Sequence, residues 1–184
     1  SSENVTFQDR LGNGVVQTIT EPRFSLNVNI QTRQDVFKVV NSLCSVFRAM
    51  PLYMSGNFSL IQDRAGLDPT FQFTNANVTP EGFSYSGSSL KTRHSVVSVS
   101  YFNMDSQEVD FEVVEDSTAI SKIGTVVKQV KAFACTSRGQ AKRLGKAILF
   151  AEQNESEIVV FSTSIDSGAV VRPGAIIEIQ DPVR

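Results

Sequence analysis

The sequence predicts an α+β fold built of small units with mostly antiparallel sheets. Three observations carry this. Apolar residues alternate with period two at 24–30, 97–101 and 109–113. They recur with helical period over 33–50 and 138–153. Gly and Pro punctuate 63–90, between two element-rich stretches. The expected division is an α+β unit over 1–90 (strand, helix, hairpin, loop-rich connection) and a β-rich unit over 91–184 with a helix at about 138–153. A chain of 184 residues suffices for one domain or two small ones. It can bury on the order of 70% of its unfolded surface without a metal or disulfide.

The elements follow in order. Residues 15–30 read as β structure, with Phe24, Leu26, Val28 and Ile30 forming one buried face and Glu21-Pro22 breaking or starting the strand. A helix over 33–50 is expected next, capped by Thr32 with Asp35 in capping-box spacing. Its apolar positions Val36, Val39, Val40, Leu43, Phe47 and Met50 are widened by Phe37, Cys44 and Val46, which predicts burial on more than one side, and Pro51 ends it. A short hairpin follows, with Ser55-Gly56-Asn57 as its turn. The stretch 63–90 reads as a long connection with a few short strands, pinned to the surface by Phe71, Phe73, Phe83 and Tyr85.

In the second unit, Val97, Val99 and Tyr101 mark one side of a strand, and Asn103-Met104-Asp105 a turn. Residues 109–114 form a half-exposed strand, in which Val109, Phe111 and Val113 alternate with Asp110, Glu112 and Val114. Residues 124–135 are a further strand candidate. Thr136 or Ser137 caps the helix near 138–153, whose narrow face of Ala141, Leu144, Ala147, Ile148 and Ala151 suits a sheet beneath it. Residues 157–164 and 175–180 complete the unit as strands. The chain opens without Met and stops after Asp181-Pro182, so a fragment of a longer protein is expected.

Composition narrows the function. With 41% hydrophobic and 20% charged residues, this is a folding chain and not a disordered one. No apolar run approaches the ~18 residues of a membrane span. A net charge of −2 lacks the basic excess of a duplex-binding domain, so no sequence-specific nucleic-acid contact is expected. One histidine and two cysteines exclude multi-histidine or four-cysteine zinc sites within one chain. Cys44 and Cys135 read as reduced, largely buried thiols, although spacing alone leaves a disulfide open. Sequons at Asn4, Asn57, Asn77 and Asn154 are what an Asn-, Ser- and Thr-rich chain gives by chance.

The search for chemistry assigns no catalytic, cofactor-binding or metal residue. His94 sits beside Lys91 and Arg93 with no carboxylate close in sequence, so a Ser-His-Asp or Cys-His arrangement needs partners from elsewhere in the fold. Asp105, Glu108 and Asp110 lack the spacing of a calcium loop. Gly12-Asn13-Gly14 is a turn and not a phosphate loop. Thr136-Ser137-Arg138-Gly139 reads as an ordinary N-cap, with anion binding as the alternative. Charge is segregated. Asp105, Glu108, Asp110, Glu112, Glu115 and Asp116 precede Lys122, Lys128, Lys131, Arg138, Lys142, Arg143 and Lys146. The two groups read as solvated faces pairing across strands, or as complementary halves of a subunit contact. All of this favours a structural or interaction protein over an enzyme.

A set of motifs in fixed order adds a resemblance. Glu21-Pro22-Arg23-Phe24-Ser25-Leu26-Asn27 is followed by Met50-Pro51-Leu52-Tyr53-Met54-Ser55-Gly56-Asn57-Phe58 and by Arg93-His94-Ser95-Val96-Val97-Ser98-Val99-Ser100-Tyr101. Thr136-Ser137-Arg138-Gly139-Gln140-Ala141-Lys142-Arg143-Leu144-Gly145 and Arg172-Pro173-Gly174-Ala175-Ile176-Ile177-Glu178-Ile179 come later. Together they resemble the lambda-type phage tail-tip attachment family (host specificity protein J) and, more broadly, the central hub proteins of tailed phages. The family often carries an acid where Ala175 stands. The resemblance implies a virion component of the tail tip, made in the bacterial host cytoplasm, without cofactor. It implies small α+β and β-barrel domains in a trimeric hub that serves tail assembly, host attachment and genome delivery. It further implies contacts with other tail-tip proteins, and receptor contact through other regions. The alternatives are a hub or spike domain of a contractile injection or secretion system, an adhesin, or a tail-associated hydrolase.

Overall fold

The computed structural model describes residues 4–10, 16–54, 56–62, 68–87, 93–155 and 157–182. Its elements begin with β1 (Asn4–Arg10), β2 (Val16–Pro22), α1 (Val36–Val46), β3 (Ala49–Met54), β4 (Asn57–Gln62), β5 (Phe71–Thr74) and β6 (Ser84–Gly87). They continue with β7 (Val96–Asn103), β8 (Glu108–Glu115), α2 (Ser117–Ile123), β9 (Val127–Lys131), α3 (Arg138–Asn154), β10 (Glu157–Val160), α4 (Ile165–Val170) and β11 (Ile177–Gln180). The fold is α+β with small, mostly antiparallel sheets, and the strands close no barrel among the described residues. Contacts divide the chain into two compact units, each drawn from two stretches: 1–49 with 89–155, and 50–88 with 156–184. These units cut across the contiguous halves 1–90 and 91–184, because β5 and β6 find their strand partners near the chain's end.

The first unit is organised by a three-stranded sheet in the order β8-β7-β9. β7 runs antiparallel to β8 and parallel to β9, with Val99 opposite both Glu112 and Val130. The parallel pair needs a crossover, and α2 supplies it. Asp116 caps α2 by accepting from the Thr118 and Ala119 amides, and Gly124 at φ +78° ends it. The alternation read from 97–101 holds: Val97, Val99 and Tyr101 are buried and form the core with Val114, Ala132, Cys135, Ala141 and Leu149. α3 lies over β7 and β8 along the line Ala141, Gly145, Leu149. A Cβ at Gly145 would stand 2.8 Å from Val114 Cγ2 and 3.3 Å from Val99 Cγ2, so the missing side chain sets how closely helix and sheet approach.

Several expectations are corrected in this unit. No strand occupies 24–30. Strand β2 ends at Pro22, and Leu26, Val28 and Ile30 are exposed. Alternation only matters where a neighbouring strand takes up the ladder, and this segment is instead tied by single bonds such as the Asn27 amide to the Ala134 carbonyl, 3.0 Å. Strand β1, pairing antiparallel with β2 from Asn4–Pro22 to Arg10–Val16, is the partner that the sequence reading missed. Helix α1 starts at Val36, capped by Asp35 rather than Thr32, and ends at Val46. Only Cys44 of its residues is buried, while Val36 and Phe37 are 71% and 59% exposed, so the helix is covered on one side. Met50 and Pro51 belong to strand β3. Among the described residues β3 pairs only with β4, which leaves the proline a free edge.

The second unit is made of pairs. β5 runs parallel to β11, β6 antiparallel to β10, and β3 bonds β4. The aromatics of the Gly- and Pro-rich stretch form a centre and not a surface pin. Phe73 is buried, stacks at 4.8 Å on both Phe71 and Phe161, and Phe161 meets Phe83 edge-on at 5.2 Å. The turn at Pro173-Gly174 holds as read, with Gly174 at φ +83° and no room for a Cβ beside Ile61. Of the strand expected over 157–164 only Glu157–Val160 forms, since Ser164 caps α4 instead.

Gly145→Val should destabilise the first unit by roughly 1–3 kcal/mol, the usual cost of forcing extra volume into a packed contact. Urea melts of the variant test this, and an unchanged midpoint would mean that α3 does not rest on Val114 and Val99.

Candidate functional site

The N-terminus of α3 gathers the polar groups of the first unit. The Ser137 side chain accepts from the Gln140 amide as N-cap and its hydroxyl donates to Glu21 Oε2. Arg143 Nη1 donates to Glu21 Oε1 at 2.6 Å, and Nη2 reaches the carbonyls of Pro22 and Arg23. A Cβ at Gly139 would collide with the Glu21 carboxylate, so glycine there admits the acid. The anion that a helix start attracts is therefore this chain's own. One turn on, Gln140 is buried and grips Ser25. Its side-chain oxygen accepts from the Ser25 amide and hydroxyl, each at 2.9 Å, and its nitrogen donates to the Ser25 carbonyl. Glu112, also buried, accepts from Arg138 Nε at 2.7 Å with Lys142 Nζ at 3.9 Å. Of the acidic group, Glu112 thus meets the basic residues of the overlying helix rather than those of a neighbouring strand.

The other end of α3 carries Glu152. It accepts from the His94 amide and faces His94 Nδ1, both at 2.9 Å, and accepts from Lys128 Nζ at 2.6 Å. The fold thus supplies the carboxylate that the local sequence around His94 lacks. Burial opposes ionisation of Glu152, but the Lys128 bond and the two His94 bonds outweigh it and hold the carboxyl below its ordinary value. Among the described residues, the neighbouring Ser95 hydroxyl is taken up elsewhere, donating to the Gly124 carbonyl and accepting from the Val126 amide. Cys135 is buried and free. Burial pushes its thiol up, away from the reactive thiolate. Cys44 is likewise a buried free thiol.

Asp105, Glu108 and Asp110 lie along the β7–β8 hairpin and do not converge, and no group of metal-ligating side chains occurs among the described residues. Asp110 accepts from the Phe111 amide, Asn103 and Tyr101, which lowers its carboxyl. Burial, then the charge of Asp110, push the Tyr101 phenol up to about 12. Gly12-Asn13-Gly14 falls outside the described residues.

Two surface features of the first unit went unread. The first is a cavity of about 380 Å³ bordered by β9, α3 and the end of α1. Phe24, Val46, Val130, Phe133 and Leu144 line it among others, and the charged residues lining it, among the described residues, are Arg23, Arg48, Lys131, Arg143 and Lys146. The second is the outward row of β8. Val109 and Phe111 are 62% exposed and Val113 is 52% exposed, while Glu112 and Val114 point inward. α3 offers cations to Glu112, so the acid is buried and the apolar row is left outside. The sequence signal was present, in basic residues at helical spacing opposite an acidic strand.

Because the Glu152 carboxyl is lowered in the folded protein, its ionisation favours folding above about pH 4.5, and the benefit fades as pH falls through the lowered value. Glu152→Gln should therefore cost roughly 1.5–3 kcal/mol near neutral pH, the range for hydrogen bonds to a charged group. The gap to the unaltered protein should close on acidification. Urea melts between pH 7 and pH 3 test it, and a gap that stays constant would remove the ionised carboxylate from the account.

Comparison with known proteins relates the chain to phage tail proteins. A family model described as putative phage tail protein matches residues 36–184. The tip attachment protein J of Escherichia phage SECphi27 is 30% identical over 163 residues, which is 88% of this chain and 13% of that protein. The tip attachment protein J of Escherichia phage SECphi4 is 25% identical over 162 residues, or 88% of this chain and 14% of that protein. The chain thus spans only about an eighth of the length of these curated relatives. A solved tail protein from Neisseria meningitidis MC58 shares the fold with a TM-score of 0.58 and 13% identity, over 84% of this chain and 47% of that one. With the family model covering most of its length, the chain belongs to the putative phage tail protein family.

Proposed function

We propose that this chain is a structural section of a phage or prophage tail-tip hub that works by assembly and not by catalysis. The observation that carries the reading is its 30% identity, over 88% of its length, to a protein named for tip attachment. The geometry supports a scaffold role. Its polar residues are spent on ion pairs and caps that fix α3 to the sheet. The histidine and the Cys135 thiol both sit in structural hydrogen bonds.

On this reading the full-length protein is made in the bacterial cytoplasm and ends in the virion tail tip. There it forms a trimer with copies of itself and contacts other tail-tip proteins. Regions outside this chain meet the host receptor, and the chain itself makes no sequence-specific nucleic-acid contact. The reading includes neither metal nor cofactor.

Immunogold labelling of virions with antibody against residues 93–155 should place label at the tail tip. Light scattering should give the full-length protein a mass of three chains. Label elsewhere on the particle would overturn the location, and a monomer at assembly concentration would overturn the hub.

A further inference from the structure

We propose that the acidic, apolar edge strand β8 of one copy docks into the basic cavity beside β9 of a second copy. The inference rests on the self-assembly just proposed and names the surfaces that carry it.

β8 and β9 are the two margins of one three-stranded sheet, and neither has a further strand neighbour among the described residues. The β8 margin presents an uncovered row of Val109, Phe111 and Val113. By the alternation of the strand Glu115 continues this row, while Glu108 stands at the strand's start on the other face, and neither carboxylate has a cationic partner among the described residues. An edge that is both apolar and unpaired invites another chain.

The β9 margin borders the cavity, which has the opposite character. Its volume of about 380 Å³ holds an aromatic side chain with its neighbours, and Phe24, Val130 and Phe133 give it an apolar lining. Arg48, Lys131 and Lys146 line it without a carboxylate partner among the described residues. Arg143 Nε is buried there without an acceptor. Arg48 holds a left-handed backbone at φ +56°, uncommon for any residue but glycine or asparagine, in the turn that closes α1. One margin therefore offers carboxylates and a phenyl ring, and the other an apolar hollow ringed by cations. The two surfaces differ, so the contact is heterologous and joins copies head to tail, the arrangement that closes a ring. Exposed charges on its rim make it sensitive to salt, which screens within ~8–10 Å at physiological ionic strength.

Charge exchange in the full-length protein tests the contact. The double variant Glu108→Lys with Glu115→Lys should weaken self-association at least tenfold by analytical ultracentrifugation, as should Lys131→Glu with Lys146→Glu. Mixing the two double variants should restore pairing between unlike copies that neither shows alone, in even-numbered assemblies because alternating copies cannot close a ring of three, and high salt should weaken the unaltered oligomer. All four positions are exposed, so circular dichroism should report unchanged folding. As a second measurement, Phe111→Cys protein mixed with Lys131→Cys protein should give a disulfide-linked pair under oxidation.

Failure of the mixture to recover, or a Phe111→Cys cross-link to another segment of its own chain or to a different tail protein, would overturn the contact. Tail-tip label and a trimer that survives both double variants would discard this contact and leave the proposed function standing. A monomeric unaltered protein would discard both.

Discussion

The ion pair between Glu21 and Arg143 is the contact on which the first unit depends. Glu21 lies at the end of β2, and Arg143 lies one turn inside α3. The carboxylate also takes the Ser137 hydroxyl and sits against the N-terminal turn of α3, so a helix dipole, a guanidinium and a hydroxyl converge on one group. Desolvating a carboxylate is costly, and only such a full set of partners offsets it. The same guanidinium holds the carbonyls of Pro22 and Arg23, and Gln140 beside it holds Ser25. The chain leaving β2 is thus secured to the helix without forming a strand of its own.

The same logic repeats along α3. Glu112 under its first turns and Glu152 in its last turn each pair with cations across the helix–sheet boundary. Between them the contact is apolar and narrow, made by Ala141, Gly145 and Leu149 against Val97, Val99 and Val114. Such a helix is held by polar clamps at its ends and by close approach in its middle. This suits a scaffold element, which has to keep its surfaces in fixed relation while partners pull on them. It also explains the unusual face of β8, since a buried Glu112 forces its neighbours Phe111 and Val113 to the outside.

Local signals were legible wherever the deciding contact was near in sequence. The Ser137 cap with the Ala141–Leu149 stripe marked α3, and Val97-Val99-Tyr101 marked the central strand. Signals misled where two local choices competed or where no partner existed. Thr32 and Asp35 both suit a helix start, and Asp35 prevails because its own backbone is extended and its carboxylate accepts from the Lys38 amide. Residues 24–30 alternate well, but alternation describes a strand only when a neighbour completes its ladder.

By itself, the sequence determined the α+β class, the position of α3 and the core strand β7, and the tail-protein kinship carried by ordered motifs, while the free thiols of Cys44 and Cys135 needed the fold. The class and the elements rest on period, caps and composition, which act over a few residues, and the kinship rests on the order of motifs along the chain. Tertiary structure alone decided that β5 and β6 pair with β11 and β10, that Glu152 lies against His94, that Glu21 fills the helix start, and that Phe111 faces outward. Each of those depends on groups from tens to more than a hundred residues apart meeting in space, and no local pattern encodes which distant partner satisfies a buried hydrogen bond or charge.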